Sequence, residues 1–68
     1  MFSIAIPRPD IDSLSTGLSV RINGEPEILT GEGDTLQWGD GGSRRVRRIL
    51  MMEEITLDGV PAIEFICA

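Results

Sequence analysis

Histidine, lysine and tyrosine are missing from this chain, and cysteine and tryptophan occur once each. Histidine is the one side chain whose ordinary titration falls near neutrality, so proton transfer there would pass to carboxylates, and a hydroxyl nucleophile would have no base beside it. The chain is therefore read as non-enzymatic. A single cysteine, Cys67, cannot close an internal disulfide. Without histidine the usual Cys and His zinc sets cannot assemble either, and neither metal nor cofactor is expected. No apolar run approaches the ~20 residues that cross a bilayer. Met1 to Pro9 lacks the basic start and long apolar middle of a leader, and Cys67-Ala68 is not a prenylation box. The expected location is cytoplasmic, with no membrane partner.

What is present is short and acidic. A chain of 68 residues is expected to form one β-rich domain over residues 1–68. A domain near this size hides only roughly 60% of the surface its unfolded chain exposes. One core of this kind supplies about 3–5 kcal/mol, and small proteins add disulfides, a metal or further subunits. With the first two removed, self-association or docking into a larger assembly is the expected source of extra stability. The net charge of −5 and pI near 4.4 disfavour general affinity for nucleic acid or anionic lipid. The charge is unevenly spread: residues 1–43 hold two arginines and seven acids, residues 44–48 four arginines, and residues 49–68 four acids. All six cations are arginine, which makes bidentate contacts that lysine cannot.

Alternation of apolar and small residues at Phe2, Ile4 and Ile6 predicts a strand stopped by Pro7. Pro7 to Gly17 reads as a loop with at most one helical turn, seated on Ile11 and Leu14. Leu18, Val20 and Ile22 resume the alternation up to Asn23-Gly24, a strong hairpin signal. A two-residue loop there would place Glu25 and Glu27 on the core face. Apolar parity instead predicts a three-residue loop with Gly24 in a bulge, pairing Leu18 with Ile28 and Arg21 with Glu25. The pattern returns at Ile55 to Ile63, where a three-residue loop Leu57-Asp58-Gly59 would pair Met51 with Phe65 and Ile49 with Cys67. Shared turn chemistry and duplication of a hairpin are both open. Pro26 and Pro61 lack a ladder donor and should face an edge or a bulge.

Thr35 to Trp38 reads as a strand and Gly39 to Ser43 as its loop. Arg44 to Glu54 could be a helix capped by Ser43, but its arginines would crowd the amino end and Glu53-Glu54 the carboxyl end, against the helix dipole. A strand is preferred. Its core parity passes from even (Val46, Leu50, Met52) to odd (Ile49, Met51, Ile55), so it should carry a bulge or be buried on both faces. The fold class is all-β: a small SH3-like or OB-like barrel, or a compact antiparallel meander, of five to six short strands.

Few features carry chemistry. Glu53 should lie near the core face between Met51 and Ile55, pairing with an arginine or marking the bulge. Gly31 to Asp34 and Gly39 to Gly42 are acidic and glycine-rich, but lack the ligand spacing of a calcium loop and read as turns. The sharpest candidate is Arg44, Arg45, Arg47 and Arg48 around Val46. On a strand Arg44 and Arg48 share a face with Val46, Arg45 and Arg47 take the other, and Trp38 is expected across from Arg44, where ring and guanidinium can stack. A second candidate surface is acidic: Glu25, Glu27, Glu32, Asp34 and Asp40.

Gly33-Asp34-Thr35-Leu36-Gln37-Trp38, a glycine turn, Arg45-Val46-Arg47-Arg48-Ile49 and the closing Ile63-Glu64-Phe65-Ile66-Cys67 together resemble the carboxy-terminal part of small phage head-tail joining and adaptor proteins. There a Gly-Asp-x-Leu-x-Trp-type strand leads through a glycine turn into x-Val-x-x-Ile. This chain departs from the pattern by extra residues in the Gly39 to Ser43 turn, and family members are usually longer. The resemblance implies a structural protein without catalytic residues that oligomerises around a virion axis, placing the chain in the host cytoplasm or the virion. A rival reading is an acidic inhibitor, of the anti-defence kind, whose carboxylates imitate phosphates and block a nucleic-acid-handling enzyme. A third is single-stranded nucleic acid stacked on Trp38 and held by the arginines.

Overall fold

The protein is described by a computed structural model over residues 1–39 and 42–68. Six antiparallel strands lie in the order β1-β6-β5-β4-β3-β2 and curl into a half-barrel. They are β1 (Phe2–Pro7), β2 (Leu18–Ile22), β3 (Glu25–Glu32), β4 (Thr35–Gly39), β5 (Arg44–Leu57) and β6 (Val60–Cys67). From β2 to β6 the sheet is a meander, and β1 returns to pair with β6 through Ile4 opposite Phe65 and Ile6 opposite Ile63. The all-β expectation holds. Among the described residues, no helix is long and apolar enough to cross a membrane.

The connection from β1 to β2 contains two short turns where at most one was expected: α1 (Arg8–Ile11) and a 3-10 turn at Leu14–Thr16. Pro9 in the first turn suits a helix start, because its missing N–H has no intrahelical acceptor to lose. Leu14 is buried and Ile11 packs against the core, as their isolated apolar character suggested. Gly31 makes this possible: a Cβ there would lie 2.8 Å from Leu14 Cδ2, so the absence of a side chain lets the 3-10 turn settle on β3.

Both hairpins correct the expected register. Ile22 pairs with Glu25 and Leu57 with Val60, leaving two-residue loops Asn23-Gly24 and Asp58-Gly59. The loop residues have φ of 54° and 83° in the first turn and 49° and 81° in the second. Positive φ at both central positions defines the primed turn that matches strand twist, and Asx-Gly tolerates it at least cost. Turn geometry overrode apolar parity. Leu18 therefore faces Leu29 and not Ile28, and Arg21 faces Pro26 and not Glu25; Leu29 is fully buried while Ile28 is 50% exposed. Neither β4 nor β1 extends alongside Pro26 or Pro61, because those ladders end at Ile28 and Ala62. Each proline thus meets a local edge, as its missing donor requires.

The strand reading of Arg44 to Glu54 is correct, and so is its bulge, which falls between Ile49 and Met51. The extra residue absorbs the one-position error from the turn: Ile49 still faces Cys67, while Met51 faces Ile66 and not Phe65. The inward parity runs from odd to even, so Ile49 and Met52 face inward as expected, opposite Cys67 and Phe65, whereas Val46, Met51 and Ile55 do not. Leu36 and Trp38 are buried, and they pair with Arg47 and Arg45; cross-strand partners share a face, so these arginines lie on the core side. Val46, Leu50 and Met51 are more than half exposed, at 55%, 55% and 52%. Glu53 is also turned outward, opposite Glu64.

The core is one cluster of Ile6, Leu14, Ile22, Leu29, Leu36, Trp38, Phe65 and Cys67, ringed by partly buried Phe2, Ile4, Leu18, Val20, Ile49 and Ile63. Each large aliphatic side chain fully buried there contributes roughly 1.5–3 kcal/mol. Phe2 crosses the interior to stack on Trp38, with ring centroids 4.4 Å apart and planes 10° apart. The chain's first strand is thereby tied to the middle of its sheet.

Candidate functional site

β5 carries the arginine run along an extended backbone, so successive guanidinium groups alternate between faces. Arg44 and Arg48 stand with Val46 on the outer face, opposite Gly39, Thr35 and Gln37 of β4. Arg45 and Arg47 stand on the other face, as their spacing predicted. All four are exposed, so their stems leave the sheet and the charged heads remain in water.

Their partners differ. Arg44 Nη1 donates to Gln37 Oε1 at 3.3 Å, and Arg47 Nη1 to the Ala68 main-chain oxygen at 2.9 Å. Arg45 Nη1 donates to Glu27 Oε1 at 3.0 Å. Arg8 pairs with Glu54, and Arg21 Nη1 donates to the Gly24 carbonyl at 3.0 Å. Among the described residues, the side chain of Arg48 has no hydrogen bond or ion pair.

The expected pairing of Trp38 with Arg44 is corrected: Trp38 lies across from Arg45 and Gly39 across from Arg44. The indole is 4% exposed and stacked on Phe2. No face of the ring is offered beside the arginines, and the stacking platform for a nucleobase loses its aromatic member.

The acidic candidates also divide. Glu25, Glu32 and Asp34 are exposed around the β2–β3 and β3–β4 turns. Glu27 points to the core side of β3 between Glu25 and Leu29, the position that the two-residue turn imposes. Its side chain is 13% exposed, with Oε1 on Arg45 and Oε2 buried without a donor among the described residues. A buried acceptor left unpaired costs about 1–3 kcal/mol, so this pair is more a tether between β3 and β5 than a source of stability. The arginine run and the acidic set, separate in sequence, meet at this contact. Asp40 lies outside the described residues.

What the sequence reading missed is the company the arginines keep. After the bulge, Met51, Glu53, Ile55 and Leu57 continue on the outer face that Arg44, Val46 and Arg48 began, and Ile66 of β6 stands opposite Met51. Apolar parity in the sequence puts Val46, Met51 and Ile55 in the core instead. The signal that could have found them lies on β4, where Leu36 and Trp38 set which face of β5 looks inward. Beside this strip is a groove of about 250 Å³ lined by Gly33, Asp34, Ile49, Leu50, Met51 and Met52.

The arrangement offers charge, apolar surface and hydrogen-bond donors on a rigid strand. Comparison with protein-family models, with curated proteins and with solved structures finds no match to this chain.

Proposed function

We propose that this chain is a non-enzymatic interaction protein that works through the outer face of β5, as a small structural or joining component of a phage-like assembly. The observation that carries the binding part is the exposed strip Val46, Leu50 and Met51 between charged residues. Its exposure does not come from a shortage of core, since eight other residues form the buried cluster. An apolar strip rimmed by charge is the composition of a contact surface. The assembly setting is supported by the resemblance of residues 33–38, 45–49 and 63–67 to head-tail joining proteins. Those segments fall on β4, the first half of β5 and β6, three neighbouring strands.

Light scattering coupled to size exclusion, followed by electron microscopy of the concentrated protein, tests this. Closed assemblies of three or more copies are expected from a component that surrounds an axis, because a heterologous contact repeats until it closes. A chain that never grows beyond a dimer and instead binds a basic nucleic-acid-handling enzyme tightly would replace this reading with phosphate mimicry by Glu25, Glu32 and Asp34.

A further inference from the structure

The bulge in β5 has an electrostatic effect. Arg48 and Glu53 differ in parity, so in a regular strand they would point to opposite faces. The extra residue between Ile49 and Met51 turns them to the same one. The outer face of β5 then reads, in order, Arg44, Val46, Arg48, Met51, Glu53, Ile55 and Leu57, with the unpaired Leu50 exposed beside Met51 at the bulge. Its basic half precedes the bulge and its acidic half follows it.

Two features of that face are unfavourable in a single copy. Arg48 has no side-chain partner among the described residues. Glu53 stands directly opposite Glu64 on β6, and neither carboxylate has an ion pair among the described residues. Like charges facing each other across a ladder destabilise it. Between the lone cation and the paired anions lie Leu50 and Met51, 55% and 52% exposed, with partly buried Ile66 beside them.

We infer that this outer face docks on a second copy of the chain, as a two-fold dimer with the β5 strands antiparallel. The two-fold axis passes between Leu50 and Met51. Counting outward from it, Leu50 meets Met51, Arg48 meets Glu53 and Val46 meets Ile55 of the other copy, each in both directions. Over these three pairs apolar residues fall on apolar residues and arginine falls on glutamate, next to Glu64, while the outermost pair sets Arg44 against Leu57. An isologous contact needs this self-complementarity, since each position meets its image across the axis. Arg48 gains a carboxylate, the Glu53 and Glu64 pair gains a cation, and the exposed strip is covered. The inference deepens the interaction reading above by naming the partner and the register, and rests on it only in taking β5 as the contact strand.

Sedimentation equilibrium of the full chain, from micromolar to millimolar concentration, provides the test. The parent should dimerise, and Arg48→Glu and Glu53→Arg should each weaken the dimer at least about tenfold, the scale of a lost charge pair. The double exchange Arg48→Glu with Glu53→Arg should restore it, and circular dichroism of each single variant should match the parent. Met51→Glu should abolish it. A parent that stays monomeric, a dimer indifferent to Arg48→Glu and Met51→Glu, or a double exchange that restores nothing would each overturn the inference. The two proposals fail separately. Closed assemblies indifferent to these substitutions remove the dimer and the outer face of β5 as the contact but leave the assembly setting, whereas a charge-sensitive dimer that never forms larger assemblies removes only the phage-assembly setting.

Discussion

The β2–β3 and β5–β6 hairpins are built from matching segments, Val20 to Ile28 and Ile55 to Ile63, and close through the same kind of Asx-Gly turn. Their equivalent faces are used in opposite ways. In the first, the face holding Ile22, Glu27 and Leu29 looks into the core. In the second, Leu57 is exposed and Glu64 partly so, although Ala62 between them is buried, while Ile63 and Phe65 pack on the core. A turn sets which residues pair, but the rest of the sheet decides which face of the pair is covered.

Ile22 and its counterpart Leu57 are 5% and 38% exposed. Ile22→Ala should cost about 2–4 kcal/mol, a typical loss for a buried aliphatic. Leu57→Ala should cost less than about 1 kcal/mol, in the range of surface changes. Urea unfolding of both variants measures this, and equal losses would refute the assignment of faces. Gly24→Ala and Gly59→Ala should each cost about 1 kcal/mol, because both force a side chain into left-handed backbone. Nothing lies within 4 Å of either added Cβ, so the cost is conformational and should be alike.

A smaller effect separates the inner face of the second hairpin from its outer one. Burial pushes the Cys67 thiol above its ordinary value of 9.0, and the positive charge of Arg47 offsets part of that rise. The folded chain therefore holds the thiol proton more firmly than the unfolded chain does. The associated stability is complete below the ordinary value and declines as the pH climbs through it towards the folded value. Thermal unfolding between neutral and alkaline pH should show this decline, and Cys67→Ala should flatten the profile while lowering the whole curve. The smallest expected change is on the outer face, where Glu64→Gln removes the like-charge contact with Glu53. It should raise the stability of the dilute chain by a few tenths of a kcal/mol, and a loss would show that Glu64 has a favourable partner.

Much of the architecture was legible because it depends on near neighbours. Strand alternation in β1 and β2, the stop at Pro7, the two Asx-Gly turns and the dipole argument against a helix at Arg44 all involve residues within a few positions of one another. The registers were misread because apolar parity was weighed above the backbone requirement of the turn. In β3 this exchanged Ile28 for Leu29 as the core residue and hid the tether from Glu27 to Arg45. The candidate surface was half legible. The alternation of the four arginines followed from the strand, but the burial of Trp38 against Phe2 joins residues far apart in the chain.

By itself the sequence determined an all-β chain, its turns and a bulge in its longest strand, since each of these is a local response of backbone and side-chain geometry. Only the tertiary structure decided which face of β5 is inside. That depends on where Leu36 and Trp38 of β4 must go, and so on the closing of the whole sheet around one core. The same decision turned Val46, Leu50 and Met51 outward and set Arg48 and Glu53 on one face, because burial is a property of the assembled layers and not of any segment within them.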